Sequence, residues 1–259
     1  DYQQAINEFN KIIEGSNAIA QNAYYHLAES YVNLNKKQQA LNAFRNASEM
    51  DFNPNIQEDA WLNYAKLSYE IGNPYKSTPE VLTDFLNRYP KSAFRIEVET
   101  LLIDSYISSN NFKEALELLE NKSRSAHKEA YQKVTFFRAL EVYNNAKYLD
   151  AKELLNRSLS ISIDPIYIAR STYWKAESNY QLSNFKEALE GFLDFKNNAE
   201  SPQLDEFKNF EYNLAYTYFK QKQYALAINT FQSFIATEPK NLVLLSDSFL
   251  RLGDSYFVT

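Results

Sequence analysis

The sequence predicts an all-α fold, a solenoid of stacked helix–turn–helix units, and three observations carry that expectation. The heptapeptide "NFKEALE" is written twice, starting at Asn111 and at Asn184, 73 residues apart. A small residue recurs at Ala5, Ala40, Thr78, Ala115, Ala151, Ala188 and Ala227, each time four residues before a bulky apolar one: Phe9, Phe44, Leu82, Leu119, Leu155, Phe192 and Phe231. Successive spacings are 35, 38, 37, 36, 37 and 39, so the 73 residues are two units. A period in the thirties marks supersecondary units too small to bury their own apolar faces, which must therefore stack. With 45% hydrophobic residues and four glycines in 259, the chain has the composition of a folded protein.

The elements follow in order. "DYQQAINEFNKII" opens the chain as a second helix without its first, a half-unit over 1–16. The first complete unit, about 20–54, places Tyr24, Leu27, Ala28 and Tyr31 at helical spacing, then a polar turn "NLNKK", then a helix with Ala40, Phe44 and Ala47. In the second, about 57–92, Trp61, Tyr64 and Ala65 precede a turn holding Pro74 and Pro79. The third and fourth, 93–127 and 128–165, carry "NFKEALELL" after "SSNN", and Ala139 with Ala151. The fifth, 166–202, pairs Ala176 with Ala188 across "QLSN". The sixth, 203–240, joins Glu211, Leu214, Ala215 and Tyr218 to "QYALAINTF". "FLRLGDSYF" ends the chain as a first helix, 241–259. The whole is expected to be one domain, 1–259, cut from a longer protein.

Local signals fit these boundaries. Asn111 and Asn184 stand where an asparagine side chain could accept from first-turn amides, with Glu114 and Glu187 three residues on as in a capping box. Pro54, Pro90, Pro165, Pro202 and Pro239 recur after second helices, where proline stops a helix without breaking one. An aromatic precedes the alanine by three residues at Tyr2, Tyr75, Phe112, Tyr148, Phe185 and Tyr224. Close helix crossings need short side chains, which assigns Ala28 with Ala40 and Ala176 with Ala188 to packing.

Several functional classes lose support. A net charge of −6 with no basic cluster disfavours nucleic acid. Without cysteine there is no disulfide, thiolate metal site or thiol nucleophile. His26 and His127 lie about a hundred residues apart, and Gly15, Gly72, Gly191 and Gly253 are solitary, so neither a metal centre, a histidine-based catalyst nor a phosphate loop is expected, and no cofactor. The N-x-S triplets at Asn46, Asn121 and Asn156 are taken as chance.

The repeated residues resemble the tetratricopeptide repeat, whose helix–turn–helix carries a large residue at its fourth position, Leu and a small residue at the seventh and eighth, Tyr at the eleventh, Ala at the twentieth and Phe at the twenty-fourth. Tyr24, Leu27, Ala28, Tyr31, Ala40 and Phe44 match in the first complete unit, while Arg138 and Lys175 stand where Leu is usual. The resemblance implies a right-handed superhelix whose first helices line a concave groove. Its ligand-facing positions fall here on Tyr25, Glu29, Tyr69, Tyr143, Tyr173, Glu177, Tyr180, Tyr212, Tyr216 and Phe219. Those positions lack the basic and amide residues with which some of the family grip a terminal carboxylate. The expected function is a non-enzymatic scaffold that holds an extended peptide or partner helix in a tyrosine-rich groove. A glycan or peptidoglycan binder and the regulatory array of an enzyme outside this stretch are the alternatives. "RYPKS" after a second helix is similar to repeat proteins of the Gram-negative envelope, which points to the periplasm or a lipid-tethered protein, with the cytoplasm as the alternative.

Overall fold

The computed structural model describes residues 1–120 and 125–259; Asn121, one of the three triplets above, lies outside them. Among the described residues there are fourteen α-helices and no strand. The chain divides into two compact units, 1–126 and 127–259, at the boundary between the expected third and fourth repeats. The first unit holds α1 (Tyr2–Phe9), α2 (Ala18–Asn33), α3 (Lys37–Glu49), α4 (Pro54–Ile71), α5 (Thr78–Arg88), α6 (Arg95–Ser108) and α7 (Phe112–Leu118). The second holds α8 (Lys128–Asn144), α9 (Tyr148–Leu159), α10 (Pro165–Gln181), α11 (Phe185–Asn197), α12 (Phe210–Lys220), α13 (Tyr224–Ala236) and α14 (Leu242–Val258). Two 3₁₀ turns, Ser201–Gln203 and Asp205–Lys208, join α11 to α12.

One turn geometry closes five hairpins. Asn35, Asn110, Ala146, Ser183 and Lys222 all adopt left-handed backbone, with φ between 50 and 62°. The next amide then reaches the carbonyl five residues back, as Lys36 to Tyr31 (2.8 Å), Asn111 to Tyr106 (2.8 Å), Lys147 to Val142 (3.2 Å), Asn184 to Asn179 (2.8 Å) and Gln223 to Tyr218 (2.9 Å). This satisfies carbonyls orphaned at the end of each first helix. It also corrects the capping expectation: Asn111 and Asn184 occupy the N-cap position, but neither side chain bonds the helix. Pro54 and Pro165 likewise start α4 and α10 as their first residues, where the missing N–H costs nothing.

Within each unit, consecutive helices pack as antiparallel neighbours, α2 on α3 and α3 on α4, α8 on α9 and α9 on α10. The fourth residue of each second helix meets the first helix: Ala40, Ala115, Ala151, Ala188 and Ala227 have no accessible surface. The expected register of the second repeat, 57–92, needs one correction. Thr78 is the first residue of α5, and a capping box of Ser77 and Glu80 fixes that start. The fourth and eighth residues are therefore Val81 and Phe85, both fully buried. The turn before α5, which holds Pro74, is three residues longer than that between α2 and α3, and the sequence pattern placed Thr78 and Leu82 where Val81 and Phe85 belong. Tyr75 is outside the helix, where it lies under the Arg45 guanidinium at 3.8 Å.

Within each unit a buried glutamine ties one repeat to the next. Gln21 on α2 donates to the carbonyl of Met50 (2.7 Å) and accepts from the amide of Asn53 (2.7 Å). Gln132 on α8 does the same for Asp164, accepting from its amide at 2.8 Å. Loop backbone that would lie buried and unpaired between hairpins is satisfied in this way.

Gly191 on α11 shares a crossing with Ala176 on α10; a Cβ added there would stand 2.8 Å from the Ala176 Cβ. Gly191→Ala is expected to destabilise by about 1–2 kcal/mol, overpacking outweighing the ~1 kcal/mol gain in helix propensity. Gly253→Ala, with nothing within 4 Å of the new methyl, is expected to stabilise by about 0.5–1 kcal/mol. Denaturant titration of both variants checks the pair, and equal effects would refute the crossing. Ala146→Gly, which relieves left-handed backbone, is expected to raise stability by up to about 1 kcal/mol in the same assay.

Candidate functional site

In the second unit a cavity of about 290 Å³ is lined by Glu177, Tyr180 and Gln181 from α10 and by Tyr212, Asn213 and Tyr216 from α12. The helical periodicity brings them together: 177, 180 and 181 share one face of α10, and 212, 213 and 216 one face of α12. Behind them the small residues Ala176 and Ala215 bury against α11 and α13, and the wall rings pack at the edge of the same hairpins, Tyr180 on Phe185, Tyr212 on Phe234 and Tyr216 on Phe231.

Tyrosine hydroxyls in this wall reach carboxylates about one repeat further on. Tyr212 donates to Asp247 Oδ2 at 2.9 Å, and Tyr216 to the same oxygen at 2.5 Å. Arg251 completes that group, donating to the Tyr216 hydroxyl at 3.0 Å and pairing with Asp254 at 2.5 Å. Tyr143 donates to Glu177 Oε2 at 3.3 Å, and Asn213 donates to Glu177 Oε1. The first unit repeats the device, with the Tyr25 hydroxyl on Asp59. Each bond links one first helix to the next, so the tyrosines act as rungs between neighbouring repeats.

The ionisation of the wall follows from its burial. Glu177 is 8% exposed, and desolvation raises its carboxyl from the usual range to about 7, against the lowering effect of hydrogen bonds from Tyr143, Tyr173 and Asn213. Burial also lifts Tyr180 to about 12, helped by the charges of Tyr216, Glu177 and Asp247. Tyr143 and Tyr212 move above the ordinary tyrosine range, first through burial and then through Glu177 and Asp247 respectively. All these tyrosines are neutral donors at neutral pH.

The expected site residues separate into three sets. Glu177, Tyr180, Tyr212 and Tyr216 line one cavity, and Phe219 stacks beside them on Tyr224 with ring centroids 5.6 Å apart. Tyr143 joins from α8, edge-on to Trp174 at 5.0 Å, through its bond to Glu177. Tyr25, Glu29 and Tyr69 belong to the first unit, where Glu29 pairs with His26 at 2.7 Å and Tyr69 is 39% exposed. Tyr173 requires a correction. It is 5% exposed, packs on Phe192 and Phe195, and receives a hydrogen bond from Asn213 at 2.6 Å, so its ring is core and presents no surface to a ligand. Gln181, Asn213, Asp247 and Arg251 were not anticipated; the signal for Asp247 was its place 35 residues after Tyr212, one period on.

Comparison with known proteins supports the repeat fold. Tetratricopeptide-repeat family models match residues 21–54 and 211–241. The C-terminal part of a TPR repeat-containing protein from Cytophaga hutchinsonii is similar in structure, at 18% identity over 95% of this chain and 93% of that one, with a TM-score of 0.52. MamA of AMB-1 (20% identity, 69% of this chain and 91% of that one, TM-score 0.43) is also similar. So is the TPR2AB domain of yeast Sti1 in its pHSP90 complex (15%, 91% and 98%, 0.40). No curated protein matches the sequence. The fold is a helical-repeat solenoid. Within it, residues 21–54 and 211–241 are tetratricopeptide repeats.

A carboxylate whose folded-state pKa is raised binds its proton more tightly folded than unfolded, so its contribution to stability falls as pH rises from about 4.3 to 7. For Glu177 that loss is about 3 kcal/mol. Glu177→Gln is therefore expected to gain stability relative to the parent chain by up to about that amount between pH 5 and pH 8, measured by denaturant unfolding at both values. A gap that does not change with pH would show that Glu177 is solvated.

Proposed function

We propose that this protein is a non-enzymatic interaction scaffold that holds an extended peptide against the tyrosine wall of α10 and α12. The observation that carries this reading is the cavity at Glu177, Tyr180, Tyr212 and Tyr216, an indentation whose walls are aromatic and whose polar groups are already oriented. Tyrosine offers large contact area with few rotors to immobilise, which suits it to anchoring a partner. The rungs to Asp247 and Glu177 hold Tyr212 and Tyr143 in place before any partner arrives, reducing the ordering cost of association. Repeat solenoids supply such surfaces as a stack of similar faces, on which a peptide can lie across successive first helices. A Gram-negative envelope location is part of the proposal, supported by "RYPKS" at 88–92; fractionation of the source cells tests it. Among the described residues no helix is long and apolar enough to cross a membrane.

Selection of displayed random dodecapeptides on the immobilised chain tests the reading. Tyr180→Leu keeps apolar bulk while removing the ring, and Tyr180 is the wall tyrosine with no hydrogen bond among the described residues. Selected peptides are expected to bind that variant about thirtyfold more weakly, the ~2 kcal/mol of an aromatic anchor, with its cooperative melt retained. Equal binding to both chains would refute the wall as the site. Binding of a peptidoglycan disaccharide with no peptide selected would replace this reading with a glycan-binding one.

A further inference from the structure

The wall contains a charge that the fold leaves uncompensated. Glu177 is more than nine-tenths buried and lines the cavity, and the side chains that hydrogen-bond it, Tyr143, Tyr173 and Asn213, are all neutral. Among the described residues no lysine or arginine pairs with it. Asp247, the other carboxylate of the wall, has Arg251 at 3.6 Å. Around Glu177 stand aromatic rings: Tyr180 beside it on α10, and Tyr212 and Tyr216 opposite on α12, the last two with centroids 5.0 Å apart. The Tyr180 hydroxyl makes no hydrogen bond among the described residues, so it remains available to a guest.

A carboxylate without a cation, inside an aromatic-lined cavity, is complementary to one class of guest. Ring faces attract a cation through their quadrupole, and a buried carboxylate forms its strongest hydrogen bonds with a charged donor. An anionic guest would meet Glu177, Asp247 and a chain of net charge −6, and a neutral one would leave the carboxylate as it is. We propose that the cavity between α10 and α12 receives the cationic side chain, lysine or arginine, of the bound peptide, with Glu177 as its counter-ion and Tyr180, Tyr212 and Tyr216 as its aromatic walls. The proposal rests on the reading that a peptide lies on this wall.

Binding should then depend on pH with a defined sign. The groups facing Glu177 are Tyr143 on α8, Tyr173, Tyr180 and Gln181 on α10, and Tyr212, Asn213 and Tyr216 on α12, with Asp247 and Arg251 of α14 behind Tyr216; none of the tyrosines ionises near neutrality. A bound cation favours the ionised carboxylate, so below about pH 7 binding must expel the Glu177 proton. Affinity for a cationic guest is accordingly lost as pH falls, by about tenfold between pH 8 and pH 6.

The probes are acetylated, amidated Ala-Leu-Ala-Lys-Ala-Leu-Ala and its counterpart with norleucine in place of lysine, titrated calorimetrically into the full chain at pH 8 and pH 6. The lysine peptide is expected to bind at least tenfold more tightly than the norleucine peptide at pH 8, an advantage largely lost at pH 6. Glu177→Gln should abolish both the advantage and its pH dependence, and Tyr180→Leu should weaken the lysine peptide at both values. Equal affinity for the two peptides at pH 8, with both weakened by Tyr180→Leu, would overturn the cation site while leaving peptide binding intact. If neither peptide binds, both this inference and the reading beneath it fail. These comparisons on the unaltered chain decide the matter even if Glu177→Gln does not fold.

Discussion

Close approach of two helices at a small residue is the constraint on which the rest of this structure depends. A hairpin of two short amphipathic helices cannot bury its own apolar face, so it must pack on its neighbour, and the two helices must lie near each other for the next hairpin to fit. Ala40, Ala115, Ala151, Ala188 and Ala227 mark the fourth residue of successive second helices, all without accessible surface, and Gly191 brings α11 still closer to Ala176. With that spacing set, the larger rings at Phe44, Phe192 and Phe231 fill the space between hairpins. The packing face thereby occupies one side of each first helix. Tyr212 and Tyr216 flank that face, their rings against Phe231 of α13 and their hydroxyls on Asp247.

Much of this was legible because it is periodic. Alanine followed four residues later by Phe or Leu is a direct image of a buried helix face, and seven copies in phase outweigh the weakness of any single one. The pattern misled where turn length changed: between Ile71 and Thr78 a longer turn holding Pro74 shifted the register by three, and only the Ser77–Glu80 cap shows where α5 begins. The closing turns were hidden for a different reason. Left-handed backbone at Asn35, Asn110, Ala146, Ser183 and Lys222 is set by the Schellman-type bond from the next amide, and no common residue type announces it. Nor could sequence distinguish Tyr173 from Tyr180. Both fall on expected groove positions seven residues apart, yet Tyr173 tilts into Phe192 and Phe195 while Tyr180 faces the cavity.

The tyrosine–carboxylate rungs unite the stability of the stack with the chemistry of its wall. A phenol ring can pack its body on the adjacent helix and still aim its hydroxyl one repeat further along, which an aliphatic side chain of the same area cannot do. Tyr25 to Asp59, Tyr143 to Glu177 and Tyr212 to Asp247 all span about one period, so in these three pairs the later repeat supplies the acceptor for the one before it. The wall's order is therefore a property of neighbouring repeats and not of any one of them. A tyrosine placed at these positions without an acid one period later would have its hydroxyl to satisfy in water or by a guest, which is the situation of Tyr180.

The rungs are not equivalent, and the difference locates the chemistry. Asp247 lies beside Arg251 and receives two phenol hydrogen bonds, so its charge is answered within the fold. Glu177 is more deeply buried and has only neutral donors, a setting in which the charged form is disfavoured and the proton is retained to about pH 7. Glutamine would avoid the desolvation cost that appears above the usual carboxylate range, but it would keep an acceptor for only one of Tyr143 and Asn213 and put an NH2 donor where the other oxygen stands. The carboxylate also adds over an amide the capacity to become negative when a positive group arrives. The cavity at its side, walled by Tyr180, Tyr212 and Tyr216, is the place from which such a group can approach.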